Sequence, residues 1–586
     1  MKIEHILRAV CIGAALSACA PSAPHGVGSS ADPVIPPRVA ASFPAGWKYP
    51  AGRTAPSFDH AMVVSASELA SDAGVEILRA GGNAIDAAVA TGFALAVVHP
   101  EAGNLGGGGF MLIRMADGRT AALDYREMAP LSASRDMYIN PDGSFNRGSL
   151  KGALASGVPG SVAGMTEALS KWGRLSLSQV IAPAIRLAED GFVVDSALSA
   201  SIDASDSLIR PFAGRDIFLA SGHAPPVGAR FKQPNLARTL KLISSGGAKA
   251  FYDGPISDEI VAEEKLDGGN ITRADLRRYK PEWRTPLKTN YRGYGLLMMP
   301  PVSSGGVTIG ETFNILEAAG AAAPFGSVQS THTLASAYQR AFIDRNDRLG
   351  DPAFVKNPVD LLLDKRYARK LAATIGRGRA TPTASIPASA GEENETTHYS
   401  VVDAEGNAVA TTTTLNELYG SGIYVRGAGF FLNDEMDDFT TKPGSPNLYK
   451  LIQGEANAIA PGKRMLSAMS PTIVFDPAGN VLLVLGGRGG PRIITSVSQV
   501  MRNVIDYRMT LSDALSAPRI HHQALPDSIR YDRGGFSQAV LDSLSSMGYG
   551  LQPVNYIGGK VNAIMRVRGG LEGLWDPRGD GGAAGY

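Results

Sequence analysis

Residues 396–415 constrain the fold of this chain more than any other stretch. Two β-branched runs, 396–402 (TTHYSVV) and 408–415 (AVATTTTL), flank Asp403-Ala404-Glu405-Gly406-Asn407. Branched side chains suit a pleated surface, and Gly and Asn supply the reversal, so the segment is a strand–turn–strand. Just upstream, residues 380–395 (ATPTASIPASAGEENE) are polar, hold two prolines and lack periodicity. An exposed loop is expected there, running straight into a strand.

The rest of the chain alternates helical and strand signals. Residues 67–80 read as a helix with Leu69, Ala73 and Ile77 on one face, stopped by Gly81-Gly82. Residues 84–98 read as a second, more apolar and buried helix. The run Gly106-Gly107-Gly108-Gly109 is read as allowing close packing rather than cradling an anion, and strands are expected at 110–114 and 120–125. Gln233-Pro234 opens a helix with Leu236, Leu240 and Ile243 at helical spacing, and strands recur at 472–475 and 481–485. No repeat is visible. The mixture predicts an α/β (α+β layered) fold rather than a bundle or a β-sandwich.

Composition removes several chemistries. Lys+Arg of 56 against Asp+Glu of 55 gives no electrostatic footprint for nucleic acid. The two cysteines, Cys11 and Cys19, both lie in the first twenty residues, so the remaining chain has no disulfide, thiolate nucleophile or cysteine metal site. There is no phosphate-binding Gly-Lys-Ser/Thr loop, no HExxH and no GxSxG. His521-His522 is read as structural, because neighbours on a strand point to opposite faces. No cofactor and no metal are expected. Residues 1–18 read as an export signal, and Leu16-Ser17-Ala18-Cys19 resembles a lipobox that would make Cys19 a lipidated N-terminus, with ordinary signal-peptidase cleavage as the alternative. Residues 19–56, rich in Pro, Ser, Ala and Gly, read as a flexible tether. A periplasmic, membrane-anchored lipoprotein is the expectation.

Glu395-Thr396-Thr397-His398 lies at the loop-to-strand junction. A threonine hydroxyl needs a base beside it to act as a nucleophile. Were the bond before Thr396 cut, its own α-amino group, with a reference pKa of roughly 7.7–8.0, would be that base. A Thr-Thr pair at a strand start is common, and alone it decides nothing.

Its surroundings decide. The segment Thr396 to Asp403 resembles the start of the small subunit of the γ-glutamyltransferase family. Gly406 to Val409, Thr414-Leu415-Asn416, Leu432 to Phe439, Ser467 to Pro471 and Gly489 to Ile494 follow in that family's order. Upstream, Gly82 to Ala88, Asn104 to Phe110, Asp124 to Pro130 and Ser303 to Gly306 are similar to its large subunit. The likeness runs from about residue 57 to the C-terminus.

The resemblance implies an Ntn-hydrolase fold, a four-layer αββα sandwich built from two autocleaved subunits: 57–395 as the large one and 396–586 as the small one, together a heterodimer. Thr396 would cut the chain before itself and then serve as nucleophile, with Thr414 hydrogen-bonded to it and Gly489 and Gly490 forming the oxyanion hole. Arg126 would clamp the substrate α-carboxylate with help from Ser467. Asn416, Glu435 and Asp438 would hold its α-ammonium. Residues 442–454 are similar to the family's lid, with Tyr449 at the gating position. The implied donors are γ-glutamyl compounds such as glutathione, and the acceptors are water, amino acids or peptides. Where many members carry two serines, Ser467 here is followed by Ala468, and Glu435 is glutamine in some members. The nearest rival is a cephalosporin or glutaryl β-lactam acylase, which shares the nucleophile but needs no ammonium acceptor. A lipoprotein that has lost catalysis is the rival from another class; it would lack Thr396 or the glycine pair, and both are present.

Overall fold

A computed structural model describes residues 38–383, 396–441 and 454–586. Two seven-stranded sheets form its centre. In chain order the strands are β1 (Ser57–Phe58), β2 (Met62–Ser65), β3 (Gly108–Arg114), β4 (Thr120–Tyr125), β5 (Glu282–Arg284), β6 (Leu287–Tyr291) and β7 (Tyr294–Met298). Then come β8 (Thr397–Val402), β9 (Ala408–Thr414), β10 (Thr472–Phe475), β11 (Val481–Arg488), β12 (Lys560–Val567), β13 (Gly570–Leu574) and β14 (Gly582–Gly585). One sheet runs β14-β2-β8-β9-β3-β4-β5 and the other β1-β13-β12-β11-β10-β7-β6, with every pairing antiparallel. They pack face to face, β8 and β9 against β11.

Helices cover both outer faces. Against the first sheet lie α1 (Glu68–Arg79), α2 (Ala84–Val98) and α3 (Ser161–Trp172), with α4 (Pro234–Tyr252) behind α3. Against the second lie α5 (Gly305–Ala318) and α7 (Arg492–Ile505), and α6 (Val328–Arg348) packs on α5. This is the expected αββα sandwich. Side-chain alternation produces the layers: on β2, β3 and β8, Val63, Met111, Ile113, Tyr399 and Val401 join the helix-side core, whereas Met62, Val64, Phe110, Leu112 and Val402 join the core between the sheets. Both sheets draw strands from either side of position 396. In particular β8 is bonded to β2 on one edge and β9 on the other, so a cut just before it leaves both ladders whole.

The glycine run is packed as its sequence suggests. A Cβ at Gly106 or Gly107 would lie 2.1 Å from the Phe431 carbonyl oxygen or 2.0 Å from that of Thr414. Helix α2 has the bounds read from sequence, with Asn83 and Asp86 closing a capping box. Leu236, Leu240 and Ile243 are buried on α4.

Two expectations need correction. The tether assigned to 19–56 does not extend to its end, because residues 38–56 lie against the body. Asp513 accepts the backbone N–H groups of Ala41 (3.1 Å) and Gly52 (2.7 Å), and Trp47 donates its indole N–H to the Ser516 carbonyl at 2.8 Å. The second concerns α1: Leu69 is 38% exposed, and the buried face is carried by Ala70, Ala73, Gly74, Ile77 and Leu78. The proposed signal and lipobox cysteine, the end of the 380–395 loop and Tyr449 lie outside the described residues.

His398, between the sheets, contacts the hydroxyls of Thr412 (2.8 Å) and Ser400 (3.0 Å). Burial pushes its imidazole down to about 3. An unfolded histidine titrates near 6.5, so below that pH the unfolded chain takes up a proton that the folded one refuses. Its stabilising contribution is therefore complete above pH 6.5 and falls by about 1.4 kcal/mol per pH unit as the medium acidifies towards 3. Denaturant unfolding at pH 7.5, 6 and 5 should show a shallower acid slope in His398→Asn than in wild type; equal slopes would exclude this assignment.

Candidate active site

Thr396 precedes β8 and is 4% exposed. The ladder between β8 and β9 ends at the Thr397–Thr413 pair, and Thr396 and Thr414 each stand one residue beyond it. By alternation both face the opposing sheet, and both line one cavity. The Thr414 hydroxyl accepts the Asn416 N–H at 2.8 Å, which leaves its proton available to a neighbour. Asn416, at φ 79°, donates its amide to the Asp434 carbonyl at 3.1 Å and lines the same cavity.

Gly490 and Pro491 form another wall, where β11 turns into α7. A helix N-terminus directs backbone N–H groups and partial positive charge outward, which suits a developing anion. Gly489 (φ 120°) and Gly490 (φ 54°) both adopt conformations that disfavour a side chain, and a Cβ on Gly489 would sit 2.5 Å from the Gly558 carbonyl oxygen. Gly489→Ala should displace this turn and lower kcat by about 10²-fold or more in any reaction through Thr396. Steady-state turnover of the cleaved protein measures it, and an unchanged kcat would separate the turn from the chemistry.

Arg126, just past β4, is 1% exposed. Its guanidinium donates to Glu435 and to Asp438, to the Met465 carbonyl at 3.2 Å and, more weakly, to Glu127 at 3.4 Å. Burial alone would lower its pKa, but Glu435, Asp438 and Glu127 hold it above the usual arginine range. The acids respond in kind. Burial raises Glu435 and Asp438 despite Arg126, and raises Glu127 to about 7. One oxygen of Glu435 and one of Glu127 are buried with no donor except each other's carboxyl group among the described residues. A group that donates protons would satisfy the Glu435 oxygen.

Ser467 accepts the Met469 N–H on Oγ at 3.1 Å, so its own proton can be donated elsewhere. Its carbonyl is held by both the N–H (2.8 Å) and the hydroxyl (2.5 Å) of Ser304. Ala468 lines the cavity beside it. The described residues on either side of the segment bearing Tyr449 meet each other, the Thr440 hydroxyl donating to the Gly454 carbonyl at 3.0 Å.

Eight of the residues marked by sequence thus line one cavity: Thr396, Thr414, Asn416, Arg126, Glu435, Asp438, Ser467 and Gly490. Gly489 adjoins it, and Tyr449 is outside the described residues. His521 lies apart in the core, bonded to Thr495 and Gln523. No group of three His, Cys, Asp or Glu side chains among the described residues is placed to hold a metal ion. Sequence reading missed Glu127, although it neighbours Arg126, and Arg345, which projects from α6 into the cavity wall. No motif spacing marks Arg345.

The chain is similar over most of its length to known proteins. A family model described as Gamma-glutamyltranspeptidase matches residues 70–586. The chain is 46% identical over 524 residues to the glutathione hydrolase proenzyme of Escherichia coli strain K12, covering 88% of this chain and 90% of the relative. It is 48% identical over 511 residues to the glutathione hydrolase proenzyme of Pseudomonas sp. strain A14, covering 85% and 88%. Among solved structures, cephalosporin acylase from Bacillus halodurans superposes with a TM-score of 0.80 at 28% identity, covering 93% of this chain and 99% of that one.

Proposed function

The chain belongs to the gamma-glutamyltranspeptidase family as an autoprocessed γ-glutamyltransferase and glutathione hydrolase, and from that premise we propose the roles of its residues. Thr396 Oγ attacks the carbonyl carbon of Glu395, the Glu395–Thr396 C–N bond breaks, and an ester on Oγ replaces it while the nitrogen becomes a free amine. Water hydrolyses the ester, leaving a carboxylate on Glu395 and a free N-terminus on Thr396.

In the second phase the new amine takes the hydroxyl proton as Oγ attacks the γ-carbonyl of the donor. Backbone N–H groups at Gly489 and Gly490 hold the oxyanion, and Thr414 orients the nucleophile. The leaving amine departs with the proton. Water or an acceptor amine then resolves the γ-glutamyl ester. Arg126 and Ser467 receive the α-carboxylate, and Asn416, Glu435 and Asp438 receive the α-ammonium. In the free site Arg126 already binds Glu435 and Asp438. A zwitterionic donor replaces that internal pair with two external ones, so little charge is left unpaired at either stage.

The observation that carries this reading is the convergence of Thr396 with Arg126 and its acidic partners in one cavity. An acylase shares the fold, but two buried carboxyl groups beside a bound guanidinium suit an amino-acid head group. A denaturing gel with N-terminal sequencing should give two pieces, the smaller beginning Thr-Thr-His-Tyr, from a preparation that releases anilide from a γ-glutamyl anilide. An intact chain with that activity would refute the mechanism.

We propose further that Cys19 is lipidated and anchors the enzyme to the periplasmic face of a membrane. The lipobox supports this. Cys19→Ala should move the enzyme from the membrane to the soluble fraction; an unchanged distribution would exclude the anchor.

A further inference from the structure

Arg345 is a buried cation that the mechanism above does not use. It is 2% exposed and lines the cavity that holds Thr396. Its Nε donates to the Ser304 hydroxyl at 3.1 Å and one Nη to the Asn346 side-chain oxygen at 2.9 Å. No carboxylate among the described residues pairs with it, whereas Arg126 has three. Asp438 is the acid that acts on it electrostatically, but Asp438 is already bonded to Arg126. Burial lowers its pKa to about 10, so it is still charged at neutral pH. A desolvated guanidinium held by neutral groups alone is costly unless an anion arrives to neutralise it.

The position indicates which anion. Arg345 is bonded to Ser304, Ser304 holds the Ser467 carbonyl, and Ala468 follows in the same wall. Arg345 therefore stands on the Ser467 side of the cavity, where the donor carboxylate is placed by the reading above. A carboxylate offers about four lone-pair sites, and the Arg126 fork and the Ser467 hydroxyl fill no more than three. The Ala468 side chain has no donor to supply the fourth.

We propose that Arg345 is a second guanidinium contact for the α-carboxylate of the γ-glutamyl donor, filling the place left by the methyl group of Ala468. This rests on the proposed reading of the donor site. When the donor ammonium takes Glu435 and Asp438, the carboxylate is left between two guanidinium groups. The pocket would then select donors that carry an α-carboxylate over analogues that keep only the ammonium.

The test uses the self-cleaved enzyme, wild type, Arg345→Gln and Arg345→Lys. KM and kcat are measured on a γ-glutamyl anilide, alongside competitive inhibition constants of glutamate and of 4-aminobutyrate, which is glutamate without its α-carboxylate. Arg345→Gln should raise KM and the glutamate constant roughly 10- to 100-fold, the range for losing a hydrogen bond to a charged group, with kcat within a few-fold. Inhibition by 4-aminobutyrate should be unchanged, and Arg345→Lys should fall in between. Equal losses for both inhibitors would assign Arg345 a purely structural role and overturn the proposal. So would an unchanged KM for the anilide with a raised KM for glutathione, since that would assign the contact to the distal carboxylate. If Arg345→Gln does not cleave itself, Arg345→Lys carries the comparison, and a KM within about twofold of wild type overturns the proposal. Failure of wild type to release anilide would instead refute the donor-site reading itself.

Discussion

Thr396→Ala should run as a single uncut band and release anilide at least ~10⁴-fold more slowly than wild type. The size follows from what one substitution removes: the attacking oxygen for self-cleavage, the attacking oxygen for the donor, and the exposed α-amine that activates it. The fold should survive, because Thr396 contributes no ladder pairing and the strand after it is bonded to β2 and β9. Circular dichroism and melting temperature close to wild type would separate lost chemistry from lost structure. Thr396→Ser keeps the hydroxyl and should cleave and turn over, more slowly. An uncut alanine variant with activity within tenfold of wild type would mean that another group is the nucleophile.

The secondary structure near the nucleophile was legible because local chemistry and tertiary packing agree there. The β8–β9 hairpin matches its expected bounds within a residue at the outer ends, since alternating branched side chains serve two buried faces at once. Leu69 misled because a helical face read from three residues ignores which side the sheet covers. Residues 38–56 misled for a different reason. Averaged composition hid Trp47 and Tyr49, whose rings face the Arg578 guanidinium at 5.6 and 4.9 Å, more than 500 residues away. The site shows the same division. Motif order pointed to Thr396, Arg126 and the glycine pair, whereas Arg345 belongs to the cavity only through a helix whose placement depends on α5. Long-range juxtaposition of that kind leaves no trace in spacing.

Arg126→Ala should lower both activity and stability, and the stability loss should grow with pH. In the folded protein Glu435, Asp438 and Glu127 are held above their ordinary carboxylate range by burial even with Arg126 beside them. Removing the guanidinium takes away the attraction that keeps them from rising further. A group whose folded pKa exceeds its unfolded value contributes stability that is complete below the unfolded pKa, near 4 for these acids, and is lost as pH rises through the folded value. At pH 5 the acids in the variant are largely neutral and their burial is tolerable. At pH 8 the variant must either bury charge without a partner or keep protons that the solvent draws away. The deficit against wild type should therefore be small at pH 5 and approach about 3–5 kcal/mol at pH 8, the range for breaking a buried pair from one side. Melting temperatures at the two pH values read it directly. Arg126→Lys retains the charge without the fork, so it should recover much of the stability and little of the donor affinity. A deficit that is constant from pH 5 to 8 would show that Arg126 is held by packing, and that its acidic neighbours do not depend on its charge.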